Sequence, residues 1–339
     1  MNVALAPVMP IEESLQQESL LVPVNDTDRL HIKRLFAATG GSPVLMFHGV
    51  VENGRVFCSR SGKGLGPFLA KHGYDVFVCD LRGHGLSQPL LSRRSRYGQT
   101  EAITEDIPAL INAVVGIRGT TPQIWVAHSW GGVVLMSYFA RFATHRPLVK
   151  AIVLFATKRC IRVGGIRKLM GMNLGWNGLG RLFTGTFGYL PRGMCGRGTD
   201  AESAKFHRQC VEWARPGPWI DSDDGFDYGA AIQKLELPPI LSYAALGDRY
   251  LGHPRDVRDF LDEMGARHAT VHDLGKSHGA LHDYDHMGIL IHPAATSDHF
   301  PEVVRWLNQY HLLAGTPANR ADSSNADVWD HTFSKTMRS

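Results

Sequence analysis

Apolar and polar positions alternate along this chain in two distinct rhythms. Short continuous apolar runs at 43–47, 75–80, 151–155 and 239–246 read as strands buried on both faces. Between them, apolar residues recur at helical spacing after Gly66 (PFLAKHG), over 101–115 and over 254–265. Residues 268–274 read as a short strand and 299–312 as the last helix. Residues 20–24 and 30–37 predict a hairpin around the turn-forming Asn25-Asp26-Thr27-Asp28. Strands alternating with helices call for an α/β fold, a mostly parallel sheet with helices on both faces.

The stretch 123–140, QIWVAHSWGGVVLMSYFA, changes rhythm in its middle from strand to helix, with Ser129 on the turn. Small residues flank it: Ala127 two before, Gly131 two after and Gly132 next. A sharp strand-to-helix elbow demands them, because the two backbones pass too close for larger side chains. The pattern is G-x-S-x-G with Ala127 in place of the first glycine. A serine so placed points its hydroxyl out at the carboxyl edge of the sheet, over the free N–H groups of a helix start. An ordinary helix N-cap serine is the plainer reading, so a nucleophile needs an acid and a histidine later in the chain.

Asp248 follows Gly247 just past the strand at 239–246, on that same edge, where it can fix the tautomer of an imidazole. Seven histidines crowd 268–299. His286, between the last strand and the last helix, is the chosen base, with His278 and His282 as reserves. His282 and His286 share the i, i+4 spacing of a metal pair, but no H-E-x-x-H motif or paired cysteines accompany them, and no metal or cofactor is expected. The glycine-rich 62–66 lacks the G-K-[ST] order of a phosphate cradle. His48-Gly49 ends the strand at 43–47; the Val50 and Trp130 N–H groups are the candidate oxyanion donors, and His48 is read as holding its loop.

From 158 to 231 the alternation stops, and the segment reads as a mainly helical cap inserted between core segments 19–157 and 232–314. Its aromatic residues Trp176, Phe183, Phe187, Tyr189, Trp213 and Trp219 are candidates to line a substrate pocket. Between Lys158 and Thr199 the charges are Lys158, Arg159, Arg162, Arg167, Lys168, Arg181, Arg192 and Arg197, all basic. Such a surface suits an anionic membrane or simply a solvated helix face. Residues 1–18 read as a flexible leader and 315–339 as a disordered tail.

Composition narrows the classes. With 44% hydrophobic residues and 20% charged, the 339-residue chain can bury a sizeable core, and a formal charge of +4 does not call for nucleic acid. Cys58, Cys79, Cys160, Cys195 and Cys210 are odd in number and form no C-x-x-C pair, which suits reduced thiols in the cytoplasm. The first twenty residues lack a basic start and carry Glu12, Glu13 and Glu18, so no signal peptide is expected.

The motifs HGVVENG, GYDVFVCDLRGHG, AHSWGG and YDHMGIL, in this order with Asp248 between the last two, resemble those of α/β-hydrolase fold serine hydrolases, in particular the acid-lipase and lysophospholipase-like branch. The resemblance covers about 20–312. It implies a catalytic Ser129, Asp248 and His286 with Val50 and Trp130 as backbone oxyanion donors, acting on a small carboxylic ester with an apolar acyl group. Ala127, the unfamiliar cap and the missing export signal depart from the pattern. An acyltransferase or thioesterase would use the same triad, and a non-catalytic binding protein with a basic cap is the alternative outside enzymes.

Overall fold

A computed structural model of the chain describes residues 14–37, 40–164, 169–194, 196 and 199–310, with the side chains of 169–173 left aside. Eight strands form one sheet: β1 (Gln16–Pro23), β2 (Arg29–Phe36), β3 (Pro43–Phe47), β4 (Asp75–Asp80), β5 (Gln123–His128), β6 (Val149–Phe155) and, after the two-residue pair β7 (Tyr189–Leu190) and β8 (Glu202–Ser203), β9 (Ile240–Ala245) and β10 (Thr270–Leu274). The order across the sheet is β1-β2-β4-β3-β5-β6-β9-β10. β1 and β2 pair antiparallel, β2 joins β4 antiparallel, and every later pairing is parallel.

The strand period of two sorts the core into two layers. Leu45 and Phe47 of β3, Phe77 and Cys79 of β4, and Trp125 and Ala127 of β5 face one side, with helices α3 (Ile107–Arg118) and α4 (Trp130–Arg141) packed over them. Val44 and Met46, Val76 and Val78, and Ile124 and Val126 face the other, under α1 (Leu65–Lys71) and the helix Phe300–Asn308. Both faces of the central strands are covered, which is why they read as unbroken apolar runs.

Two expectations need correction. β1 begins at Gln16, so residues 16–18 of the expected leader are strand, while 1–13 lie outside the described residues; the strand's exposed polar side chains on the sheet's edge hid its start from a hydrophobic count. The helix expected to begin at residue 101 starts two residues earlier, as α2 (Gln99–Glu101), and reaches α3 through a π-type turn over Ala102–Asp106. The segment 158–231 is helical at Leu169–Leu179, Gly180–Phe187, Ala204–Trp213 and Tyr228–Ile232, but Phe206, Trp213, Trp219 and Tyr228 join the same core cluster as α4. Residues 311–339, including the expected tail, lie outside the described residues, as does Cys195. Among the described residues no helix is long and apolar enough to cross a membrane.

Candidate active site

The parallel strands end together, and their carboxyl ends carry the site. β5 enters α4 through Ser129, whose φ of 50° lies in the left-handed region that costs a non-glycine residue energy. Val51, after β3, and Ala156, after β6, also have positive φ, 55° and 49°. The three non-glycine residues with positive φ among those described therefore all lie in the loops at this edge. Gly131 is required at the elbow, because a Cβ there would fall 2.2 Å from the His48 carbonyl oxygen and 2.7 Å from that of Phe47. A Cβ on Gly49 would come within 3.1 Å of the Ser129 Cβ, so the loop after β3 also presses against the serine.

Ser129, Asp248 and His286 come together from three separate loops. His286 Nε2 lies 2.9 Å from Ser129 Oγ, and His286 Nδ1 lies 2.5 Å from Asp248 Oδ2. Burial tends to raise the Asp248 carboxyl, but the hydrogen bond and charge of His286, with the charge of Lys158, bring it down to about 2. The Leu251 N–H also donates to it at 2.8 Å. An ionised carboxylate only accepts, so His286 Nδ1 carries its proton and Nε2 of the neutral ring accepts from the serine hydroxyl. Burial pushes His286 below the ordinary histidine value against the pull of Asp248, favouring that neutral ring.

The N–H of Trp130 opens α4 and has no helical acceptor, and that of Val50 has no acceptor among the described residues. Both residues line the cavity at Ser129. His48 is buried; it donates from Nδ1 to the Gly49 carbonyl at 2.8 Å and accepts at Nε2 from the Leu81 N–H at 3.1 Å. Its ring thus ties the loop after β3 to the loop after β4, and burial holds it below the usual histidine range.

Two residues that sequence reasoning passed over complete the floor. His128 donates from Nε2 to the His286 carbonyl at 3.0 Å, and its Nδ1 lies 2.8 Å from Glu52 Oε2. Glu52 Oε2 also accepts from the Gly49 N–H at 2.7 Å. Burial acts to raise the Glu52 carboxyl; the charge of His128 and its hydrogen bond outweigh it, to about 2. Glu52, His128 and His286 have ligand atoms within 4.8 Å of one another, the spacing of a metal site, but their atoms already serve one another and Ser129. The positions of His128 directly before the serine and of Glu52 three residues after Gly49 were the available signals. His282 instead stacks on His292 with centroids 4.0 Å apart, and His278 Nδ1 meets the Ser277 hydroxyl at 3.0 Å. The i, i+4 pair His282 and His286 precedes the helix Gly288–Ile291 rather than lying on it, so helical spacing does not bring the two rings together.

A cavity of about 520 Å³ opens over Ser129 and His286, with Val50, Val56, Ile161, Leu251 and Ile291 among its apolar walls. Of the six aromatic candidates, Trp176 lines it. Trp213 and Trp219 are buried against Tyr228 and Phe260, Phe183 and Phe187 stack on each other, and Tyr189 sits in β7. A Gly- and aromatic-rich composition announces apolar packing without saying which surface receives it.

The basic run also divides. Lys158 and Arg159 are buried, Arg159 against Glu263, while Arg162 and Arg192 face Asp259 at 3.7 Å and Asp200 at 3.0 Å. Arg181 is exposed; Arg167, Lys168 and Arg197 lie outside the described residues.

Residues 42–209 match the family profile described as the alpha/beta hydrolase fold. The lipase LipV of Mycobacterium tuberculosis is 33% identical over 128 residues, 37% of this chain and 40% of that protein. A probable lysophospholipase L2 of Haemophilus influenzae is 26% identical over 96 residues, 28% of this chain and 31% of that protein. The matches thus span well under half the length of these curated relatives. Among solved structures, a soluble variant of monoglyceride lipase from Saccharomyces cerevisiae superposes with a TM-score of 0.60 at 15% identity, covering 93% of this chain and all of that one, a likeness of fold.

Proposed function

Since the chain has the α/β-hydrolase fold, with lipase- and esterase-like relatives, we propose that it is a serine hydrolase cleaving a carboxylic ester with an apolar acyl group. The observation that carries the reading is the continuous relay from Ser129 Oγ through His286 to Asp248 beneath a largely apolar cavity.

In this reading His286 Nε2 takes the Ser129 proton as the oxygen attacks the ester carbonyl. Asp248 stabilises the imidazolium that forms, and the amides of Val50 and Trp130 receive the oxyanion. His286 then returns the proton to the departing alcohol, leaving an acyl-enzyme. Water, deprotonated by the same histidine, releases the acid and restores the serine. The strained φ of Ser129 holds the nucleophile in place before substrate arrives. Segment 158–231 acts as a cap insofar as Ile161, Trp176, Thr199 and Ala214 wall the cavity. A membrane role for this segment draws less support, because Lys158 and Arg159 are buried and Arg159, Arg162 and Arg192 are engaged with acids.

A panel of p-nitrophenyl esters of rising chain length tests the proposal. Turnover that disappears in a folded Ser129→Ala variant supports it, and turnover surviving that change refutes it. Acyl-CoA and alcohol acceptors in the same assay separate a thioesterase or acyltransferase.

A further inference from the structure

Lys158 is the residue of this site that the hydrolase reading leaves without work. It follows β6 by three residues, is 4% exposed and lines the cavity shared by Ser129 and His286. Among the described residues its ammonium has no hydrogen-bond acceptor and no carboxylate within ion-pairing distance. Its buried neighbour in sequence, Arg159, shows the contrast: that guanidinium is met by Glu263 and by the carbonyls of Trp213 and Gly217.

A buried ammonium without a partner is costly, since water that solvated it in the unfolded chain is gone. Burial accordingly pushes Lys158 below the ordinary lysine value, with Asp248 and Glu52 pulling the other way from a distance. Neither acid is at liberty to serve it. Asp248 accepts from His286 and Leu251, and Glu52 is held by His128 and Gly49. The cavity's other cation, Arg55, is exposed and makes no side-chain ion pair among the described residues. The cavity thus offers two positive groups and one carboxylate that is already engaged, between otherwise apolar walls.

We infer that Lys158 binds an oxyanion of the substrate, so that the preferred ester has an apolar body and one compact anionic group, a carboxylate or a phosphate. A charge-assisted hydrogen bond in a dry pocket supplies the partner the ammonium lacks and fixes which end of the substrate faces Ser129. The inference rests on the esterase reading for the bond that is cleaved, and on Lys158 alone for the anion.

Two matched pairs of substrates test it and locate the anion. In the first, mono-p-nitrophenyl glutarate is compared with p-nitrophenyl pentanoate, placing a carboxylate on the acyl side. In the second, butyryl glycerol phosphate is compared with monobutyrin, placing a phosphate on the alcohol side. In one pair the wild-type kcat/KM favours the anion by about tenfold or more. Lys158→Met brings that ratio to about one, and Lys158→Arg retains most of it. The inference is overturned if neither pair shows a preference, if the preference survives Lys158→Met, or if Lys158→Met lowers both members of each pair equally, since that marks an effect on the triad. Should no ester be hydrolysed at all, the esterase reading falls and calorimetry with glutarate and inorganic phosphate decides this one separately. Binding abolished by Lys158→Met sustains it, and absence of binding to the wild-type protein refutes it.

Discussion

His128 and His286 lie ring against ring, centroids 4.8 Å apart, and His128 holds the backbone carbonyl of His286 at 3.0 Å. The residue directly before the candidate nucleophile therefore fixes the main chain of the candidate base, and Glu52 fixes His128 in turn at 2.8 Å. Three loops, after β3, after β5 and before the helix Gly288–Ile291, are joined at the floor of one cavity.

His128 is on this account a positioning residue. His128→Ala should lower kcat for an ester by about tenfold to a hundredfold, the scale of a misplacement of the base by a fraction of an ångström to one ångström. KM should move little, and the acid limb of the pH profile should shift, because the charge of His128 bears directly on His286. A variant with wild-type kcat and an unmoved limb would remove His128 from the positioning of the base.

The pH dependence follows from His286. The base must be neutral, and burial lowers its pKa from the ordinary value of ~6.5 despite the hydrogen bond it donates to Asp248. The logarithm of kcat/KM should therefore rise with pH, with a midpoint below about 6.5, and level off by neutrality. Enclosure of the ring moves the midpoint down from the value of a solvated imidazole. A midpoint above 7 would contradict the burial assigned to His286.

Away from the reacting atoms, His84 joins the loop after β4 to β8. Its ring is buried; Nδ1 donates to the Glu52 carbonyl at 2.8 Å, and Nε2 lies 3.4 Å from Glu202. Burial lowers its pKa, but Glu202, Asp200 and that carbonyl outweigh burial, raising it to about 9. A raised folded-state value means stability fully present below the unfolded value of ~6.5 and lost as pH rises through about 9. Chemical denaturation of wild type and His84→Gln should differ by on the order of 3 kcal/mol at pH 6, with the gap closing by pH 9.5. A gap constant across that range would mean that His84 contributes by packing alone.

What the sequence made legible was local. The elbow at Ser129 is written in adjacent small residues, and Asp248 follows a strand whose apolar run is unmistakable, so its place on the common edge could be deduced from topology. Position 286 could be preferred among neighbouring histidines only by its place between the last strand and the last helix. The fate of Lys158 was beyond such reasoning. A lysine opening a basic run looks like a solvated face, and only the packing of segment 158–231 over the sheet edge encloses it. Trp213 and Trp219 turn instead into the core, packed on Tyr228 of their own segment and, for Trp219, on Phe260 from the helix Pro254–Glu263, a tertiary choice that composition does not reveal.

The central claim is that Ser129 is a nucleophile activated by His286 and Asp248, and covalent labelling addresses it most directly. A fluorophosphonate probe followed by peptide mass spectrometry should modify Ser129 in the wild-type protein, much more slowly in folded His286→Ala and Asp248→Ala, and not in Ser129→Ala. A folded wild-type protein that stays unlabelled at Ser129, or one labelled equally fast without His286, would contradict it.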